Sequence, residues 1–186
     1  MQDQRNIFTS SILYELPFGR GQEFYGNISY PLNLFVGGWQ LSVISHIASG
    51  SPLDLSVSGN ADADTPDRVG PVHYPKSITG TWFDTASFAA PPTATANGNN
   101  VFTRIGTLGS NQIYGPGQRS ADVSLQKNIE FVEGYVLELR GDAFNITNSP
   151  QFTNPDGGIY DANFGKVTGT ELDSQREVQL AARFTF

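Results

Sequence analysis

Acidic side chains at every second position are the first candidate for chemistry in this sequence. Asn60, Asp62 and Asp64 repeat with the spacing of a calcium-binding loop. Such a loop needs glycine at its sixth position for a sharp turn and a bidentate glutamate at its twelfth. Those positions hold Thr65 and Pro71, so the EF-hand pattern fails. A looser calcium site from Asp62, Asp64 and Asp67 is the one metal candidate left, set against a plain solvated acidic loop. His46 and His73 are the only histidines and share no ligand spacing, which argues against zinc catalysis. No Gly-x-Ser-x-Gly marks a nucleophilic serine. The Gly-x-Gly pairs at 19–21 and 115–117 lack a strand-to-helix context and read as turns. Glu138, Arg140 and Asp142 form a charged row at alternate positions. On a strand they share one face, where a ladder of ion pairs with Arg183 or Asp122 is a simpler reading than an acid–base pair. No catalytic residue and no cofactor is expected, and the chain does not read as an enzyme.

These residues sit on a pattern of period two. The last eleven residues, REVQLAARFTF, place Val178, Leu180, Ala182, Phe184 and Phe186 on one parity and mostly polar residues on the other. At roughly 3.3 Å per residue they reach about 36 Å. Tilted by about 45°, they span about 25 Å, the height of the apolar band of an outer-membrane barrel. Four more alternating segments precede them, over 6–17, 37–58, 119–131 and 135–145. Gly50-Ser51-Pro52 is expected to bend the second near an end. The pattern predicts an all-β fold: an antiparallel transmembrane β-barrel segment of about five long strands with long external loops. Taken alone, it should form an open curved sheet.

Composition agrees. The net charge of −7 and the lack of a basic patch argue against nucleic-acid binding. Cysteine is absent, which excludes a disulfide scaffold and a thiolate metal site. Only 16% of residues are charged, beside 20 glycines, 11 prolines and 12% aromatics, as suits strands joined by long loops. No apolar run reaches the length of a transmembrane helix, which says nothing against a barrel.

The connections alternate in length. Val132-Glu133-Gly134 is a tight turn, whereas 59–118 and 146–175 are long. Barrels of the outer membrane have long external loops and short periplasmic turns. The 18–36 connection falls on the short-turn side and fits that rule less well. On the presumed lipid parity only Lys127 is charged; near a strand end, it is expected to snorkel to the interface. Glu15, Asp54, Asp122, Glu130, Glu138, Arg140, Asp142, Glu177 and Arg183 fall on the other, lumen-facing parity. Tyr14, Phe18, Trp39, Phe131, Tyr135 and Phe184 suit an interfacial aromatic girdle. Trp82, Phe83, Phe88 and Tyr114 read either as carbohydrate platforms or as packing inside a folded 59–118 loop.

The segments YELPFGRG, GGWQLSVISHIASGSPL, WFDTASFAAP, GTLGSNQIYGPGQRSADVSLQKNI, LRGDAFNITNSPQFTNP, NFGKV and QLAARFTF occur in that order. Together they resemble the C-terminal end of TonB-dependent receptors of the Oar-like type, whose N-terminal part carries a carboxypeptidase-regulatory-like domain. The resemblance covers essentially residues 1–186. It implies an outer-membrane location of the Gram-negative type and a barrel of about 22 strands with a plug in its lumen. It further implies energised uptake of a large substrate, and a terminal aromatic strand read by the outer-membrane assembly machinery. Partners are then the outer-membrane lipid and the rest of the barrel and plug. TonB would be engaged only through an N-terminal part that this sequence lacks. Because the first residues, MQDQRNIFTSS, are no signal peptide, the chain is expected to be a piece of a longer one. The competing expectation is a soluble or secreted β-sandwich binding module, for example for carbohydrate.

Overall fold

The computed structural model describes residues 3–57, 65–96 and 98–186. They form two compact units. One holds residues 7–47, 119–150 and 173–186; the other holds 1–6, 48–118 and 151–172.

The first unit is a sheet. Its strands are β1 (Ile7–Glu15), β2 (Trp39–Ala48), β3 (Gln118–Val132), β4 (Tyr135–Phe144) and β5 (Glu177–Thr185), and one short helix, α1 (Tyr30–Val36), precedes β2. Each strand pairs with its neighbour in sequence, giving an antiparallel meander with β1 and β5 as its two edges. The sheet does not close on itself. Both long connections, after β2 and after β4, therefore leave from the same end, and the short ones lie at the other.

Local chemistry explains the boundaries. A two-residue turn, Glu133-Gly134, joins β3 to β4, with Gly134 at φ 87° where a Cβ would be strained. The alternating pattern of β2 runs on to Ser58, yet the strand stops at Ala48. The backbone of Gly50 lies hard against the Gly115 carbonyl, and Pro52 offers no N–H to a continuing ladder. Pro52–Leu53 instead pairs with Ile113–Tyr114. Leu55 and Val57 thus turn inward and are buried, rather than extending the apolar face of β2.

The 16–38 connection contains a helix that the sequence pattern does not announce. Pro31 at its first turn is set for helix entry by its fixed φ. The Tyr30 hydroxyl reaches the Glu130 and Phe131 carbonyls at 2.8 and 2.7 Å. The Trp39 indole N–H donates to the Phe35 carbonyl at 2.9 Å. Gly38 then enters β2 at φ 72°, where a Cβ would run into the Asn128 carbonyl. Gly38→Ala should cost about 1–3 kcal/mol through left-handed strain alone. Denaturant titration in detergent checks this; an unchanged midpoint would contradict it.

Asn145 closes the exit of β4. It sits at φ 45°, a conformation asparagine tolerates better than most residues. Its own N–H donates to the Asp122 carboxylate at 2.8 Å, and its side-chain amide donates to the carbonyls of Ser149 (2.9 Å) and Ser174 (2.6 Å). One buried residue, through its backbone N–H and its side chain, thus ties the end of β4 to β3 and to the segment that leads into β5.

The second unit has its own core. Leu55, Phe83, Phe88, Leu108 and Ile113 are buried together, with Leu53, Val72, Tyr74, Trp82 and Phe164 packed around them. Phe83, Phe88 and Phe164 meet edge to face at centroid distances of 5.5–6.2 Å. The segment from 151 to 172 is laced in through the backbone: Ser56 bonds Gly157 and Ile159, and Trp82 bonds Gly165.

Candidate membrane wall

The register of β3, β4 and β5 sorts side chains into two faces. Ile129, Leu137 and Phe184 form one cross-strand row; Leu125, Gly141 and Leu180 form another; Val123, Ala143 and Val178 form a third. Between these rows lie Asn128, Glu138 and Arg183, then Gln126, Arg140 and Ala181, then Ser124, Asp142 and Gln179, on the opposite face. Period-two geometry keeps the two sets apart across the whole sheet. Leu180 and Ala182 lie on the apolar face with Val178 and Phe184. Leu180 is 85% exposed and Phe186 89%, and Leu125, Leu139, Val178 and Phe184 on this face are exposed as well.

The edge pair β1–β2 follows suit. The Leu16 N–H donates to the Trp39 carbonyl, and Thr9 Oγ1 lies 3.2 Å from His46 Nδ1. That register puts Thr9 and His46 together on the polar face. The second histidine, His73, belongs to the other unit, where its carbonyl accepts from the Asp84 N–H.

Charges on the polar face meet in a way the spacing alone does not foretell. Arg140 Nε donates to Asp142 Oδ1 at 2.9 Å, so the ion pair runs along one strand rather than across two. Arg183 stands opposite Glu138 in register. Asp122, expected to join a ladder, instead accepts from the Asn145 N–H. No three of these groups are arranged as a metal site, nor are any other His, Asp or Glu among the described residues.

Lys127 departs from expectation. Its register partner is Leu139, on the apolar face. It does not snorkel outward: it is 5% exposed, its ammonium donates to the Gly37 carbonyl, and it lies 4.8 Å from the Trp39 ring centroid. A carbonyl and a π face near the start of β2 supply what water would otherwise supply to the cation. The signal was present in the sequence as a Gly-Gly-Trp run, but only the β2–β3 register brings it to Lys127.

The aromatic candidates gather at one end. Tyr14 nears the end of β1, Phe18 lies three residues past that end, Trp39 opens β2, Phe131 nears the end of β3, Tyr135 opens β4 and Phe184 nears the end of β5. In an antiparallel meander all six lie at the short-turn end. Tyr135 and Phe184 rings are 6.2 Å apart, and Phe184 stacks on Phe186 at 6.1 Å.

The loop candidates resolve differently. Asp62 and Asp64 lie outside the described residues. Both oxygens of Asp67 accept from the Arg104 guanidinium at 2.6 Å, and Oδ1 also accepts from the Thr107 N–H at 3.0 Å. Asp67 is therefore engaged in holding the unit together. The bond to Arg104 holds its carboxyl below the ordinary value, with burial opposing and the Thr107 N–H adding to the shift. A depressed folded pKa stabilises above the ordinary unfolded value of about 3.9 and is lost as pH falls through the folded value. Asp67→Asn should therefore melt below the parent at pH 7, and the gap should narrow on acidification below about pH 4. A gap that holds constant to pH 2 would contradict this. Phe83 is fully buried and Phe88 nearly so, which places them in the core rather than on a sugar platform. The Trp82 indole N–H donates to the Tyr114 carbonyl at 2.9 Å.

An up-and-down sheet of long strands, apolar and uncovered on one face, charged on the other, with long loops at one end and short turns at the other, is the wall of a transmembrane β-barrel. Comparison with known families agrees. The chain belongs to the family described as outer membrane beta barrel domain, which matches residues 1–179. It is thus an outer-membrane protein. No curated protein and no solved structure matches it.

Proposed function

We propose that this chain is the C-terminal part of the barrel of a TonB-dependent outer-membrane transporter of the Oar-like type, working in uptake of a large substrate and not as an enzyme. The uncovered apolar face carries the reading. A soluble sandwich would bury that face against a second sheet, whereas Val178, Leu180 and Phe184 are exposed here.

The sheet's topology supports a larger wall. Five antiparallel strands leave β1 and β5 running in the same direction. A ring built from copies of these five would set β5 of one copy parallel to β1 of the next. Closure with antiparallel seams, the rule in bacterial single-chain barrels, needs an odd number of further strands. The remainder of a barrel of about 22 strands meets that condition. In this reading the apolar face meets lipid, the Glu138, Arg140, Asp142 and Arg183 face meets the lumen and its plug, and β5 is presented to the assembly machinery. TonB acts through the N-terminal part of the transporter. The test uses outer membranes of the native cell and antibody raised to residues 151–172. The reading predicts a detected polypeptide far larger than 20.2 kDa that cross-links to TonB. A membrane band at the mass of this chain alone, with no TonB adduct, would contradict it.

A further inference from the structure

The connection between β1 and β2 presents an apolar surface away from the protein. From Phe18 to Val36 only Arg20 and Glu23 are charged, while Phe18, Phe24, Tyr25, Tyr30 and Phe35 are aromatic. Helix α1 turns Tyr30, Asn33 and Leu34 toward a cavity of about 730 Å³ on the polar side of the sheet, with Asn128 and Glu138 on the far wall. Leu32 and Phe35, three residues apart, then share the opposite side of the helix. Leu32 is 57% exposed and Phe35 75%; Phe24 and Tyr25, earlier in the same connection, are also exposed. The helix has its greasy side out and buries no residue. A short helix in a water-filled compartment gains nothing from this arrangement, since exposed apolar patches mark contact surfaces.

We infer that this connection is a lipid-interface anchor: Leu32 and Phe35 lie in the bilayer surface on the short-turn side and fix how deep the wall sits. Two observations choose lipid over a protein partner. The helix is continuous with the apolar face, because the Trp39 indole that opens β2 is bonded to the Phe35 carbonyl. The six aromatic residues of the girdle also lie at this end of the sheet, at the level where rings settle in a bilayer. An interfacial helix beds its apolar side about 5–10 Å into the boundary between headgroups and acyl chains. The inference rests on the membrane reading of the sheet.

The native chain has no cysteine, so single cysteines give unique labelling positions. The full chain is reconstituted in vesicles of phosphatidylethanolamine and phosphatidylglycerol with brominated acyl chains. A small thiol-reactive fluorophore is placed at Leu32→Cys, Phe35→Cys, Leu180→Cys or Glu133→Cys. The expected result is loss of emission at 32, 35 and 180 from the brominated lipid, with 133, at the neighbouring turn tip, quenched by aqueous iodide instead. Quenching at 180 with 32 and 35 reached only by iodide would overturn the anchor while leaving the wall in the membrane. Labels at 32 and 35 shielded from both quenchers would mean that another protein surface covers them, and would overturn it too. If 180 itself is not quenched by lipid, the membrane reading falls and the anchor falls with it.

Discussion

Leu180→Arg should reduce insertion of this chain into a bilayer by roughly 30- to 1,000-fold. Leu180 lies near the middle of β5, opposite Gly141, on the apolar face, and is 85% exposed. An arginine on the lipid face of a barrel costs about 2–4 kcal/mol at the bilayer midplane. Every 1.4 kcal/mol or so is tenfold in an equilibrium, which gives the range stated. Gln179→Arg, one residue away, points to the other face and should change insertion by less than about 0.5 kcal/mol. The contrast within one residue is the informative part. In a soluble protein an exposed leucine replaced by arginine is neutral or improves solubility, so the sign of the effect separates the two environments. Partition between vesicles and urea measures it. Equal effects at 179 and 180 would contradict the two-faced wall.

The second large effect belongs to the other unit. Phe83→Ala should cost that unit about 3–5 kcal/mol, the usual loss when a buried aromatic side chain leaves a cavity. Phe83 is fully buried, and it meets both Phe88 and Phe164 edge to face. Its loss removes one of the contacts between the 48–118 and 151–172 segments, the Phe83–Phe164 pair, as well as apolar burial. Trp82 packs against the same cluster, so its fluorescence reports the transition. Denaturant midpoints and the rate of proteolysis within residues 65–117 should both shift. If Phe83 stood on a ligand-binding surface instead, truncation would leave stability near the parent's.

The sheet was readable from the residues because a barrel wall writes its geometry into a period of two. Val178, Leu180 and Ala182 against Gln179, Ala181 and Arg183 need no knowledge of partners to be assigned to faces, and the cross-strand register reproduces that division. The tight turn at Glu133-Gly134 was equally local. What could not be read depended on contacts distant in sequence. Leu53, Leu55 and Val57 continue the alternation of β2 perfectly, and only the packing of Gly50 on Gly115 and the aromatic cluster around Phe83 draws Leu53 and Leu55 into a separate core. Lys127 reads as a residue that must reach water, because the carbonyl it bonds lies ninety residues earlier in the chain and its ring partner, Trp39, close by it. Helix α1 is too short for periodicity to register, and its apolar side faces outward, so the usual inward stripe is missing. Spacing alone puts Glu138, Arg140 and Asp142 on one face of the strand, while the pairing of Arg140 with Asp142 rather than across the strands depends on rotamers that spacing does not encode.

The central claim is that the uncovered face of this sheet meets lipid while its other face meets water. Cysteines placed one at a time from 178 to 184, followed by reaction with a membrane-impermeant maleimide in outer membranes opened at both sides, test it most directly. The account predicts a strict alternation: 179, 181 and 183 labelled, 178, 180, 182 and 184 protected. Uniform labelling along β5, or protection of the odd positions with labelling of the even ones, would contradict it.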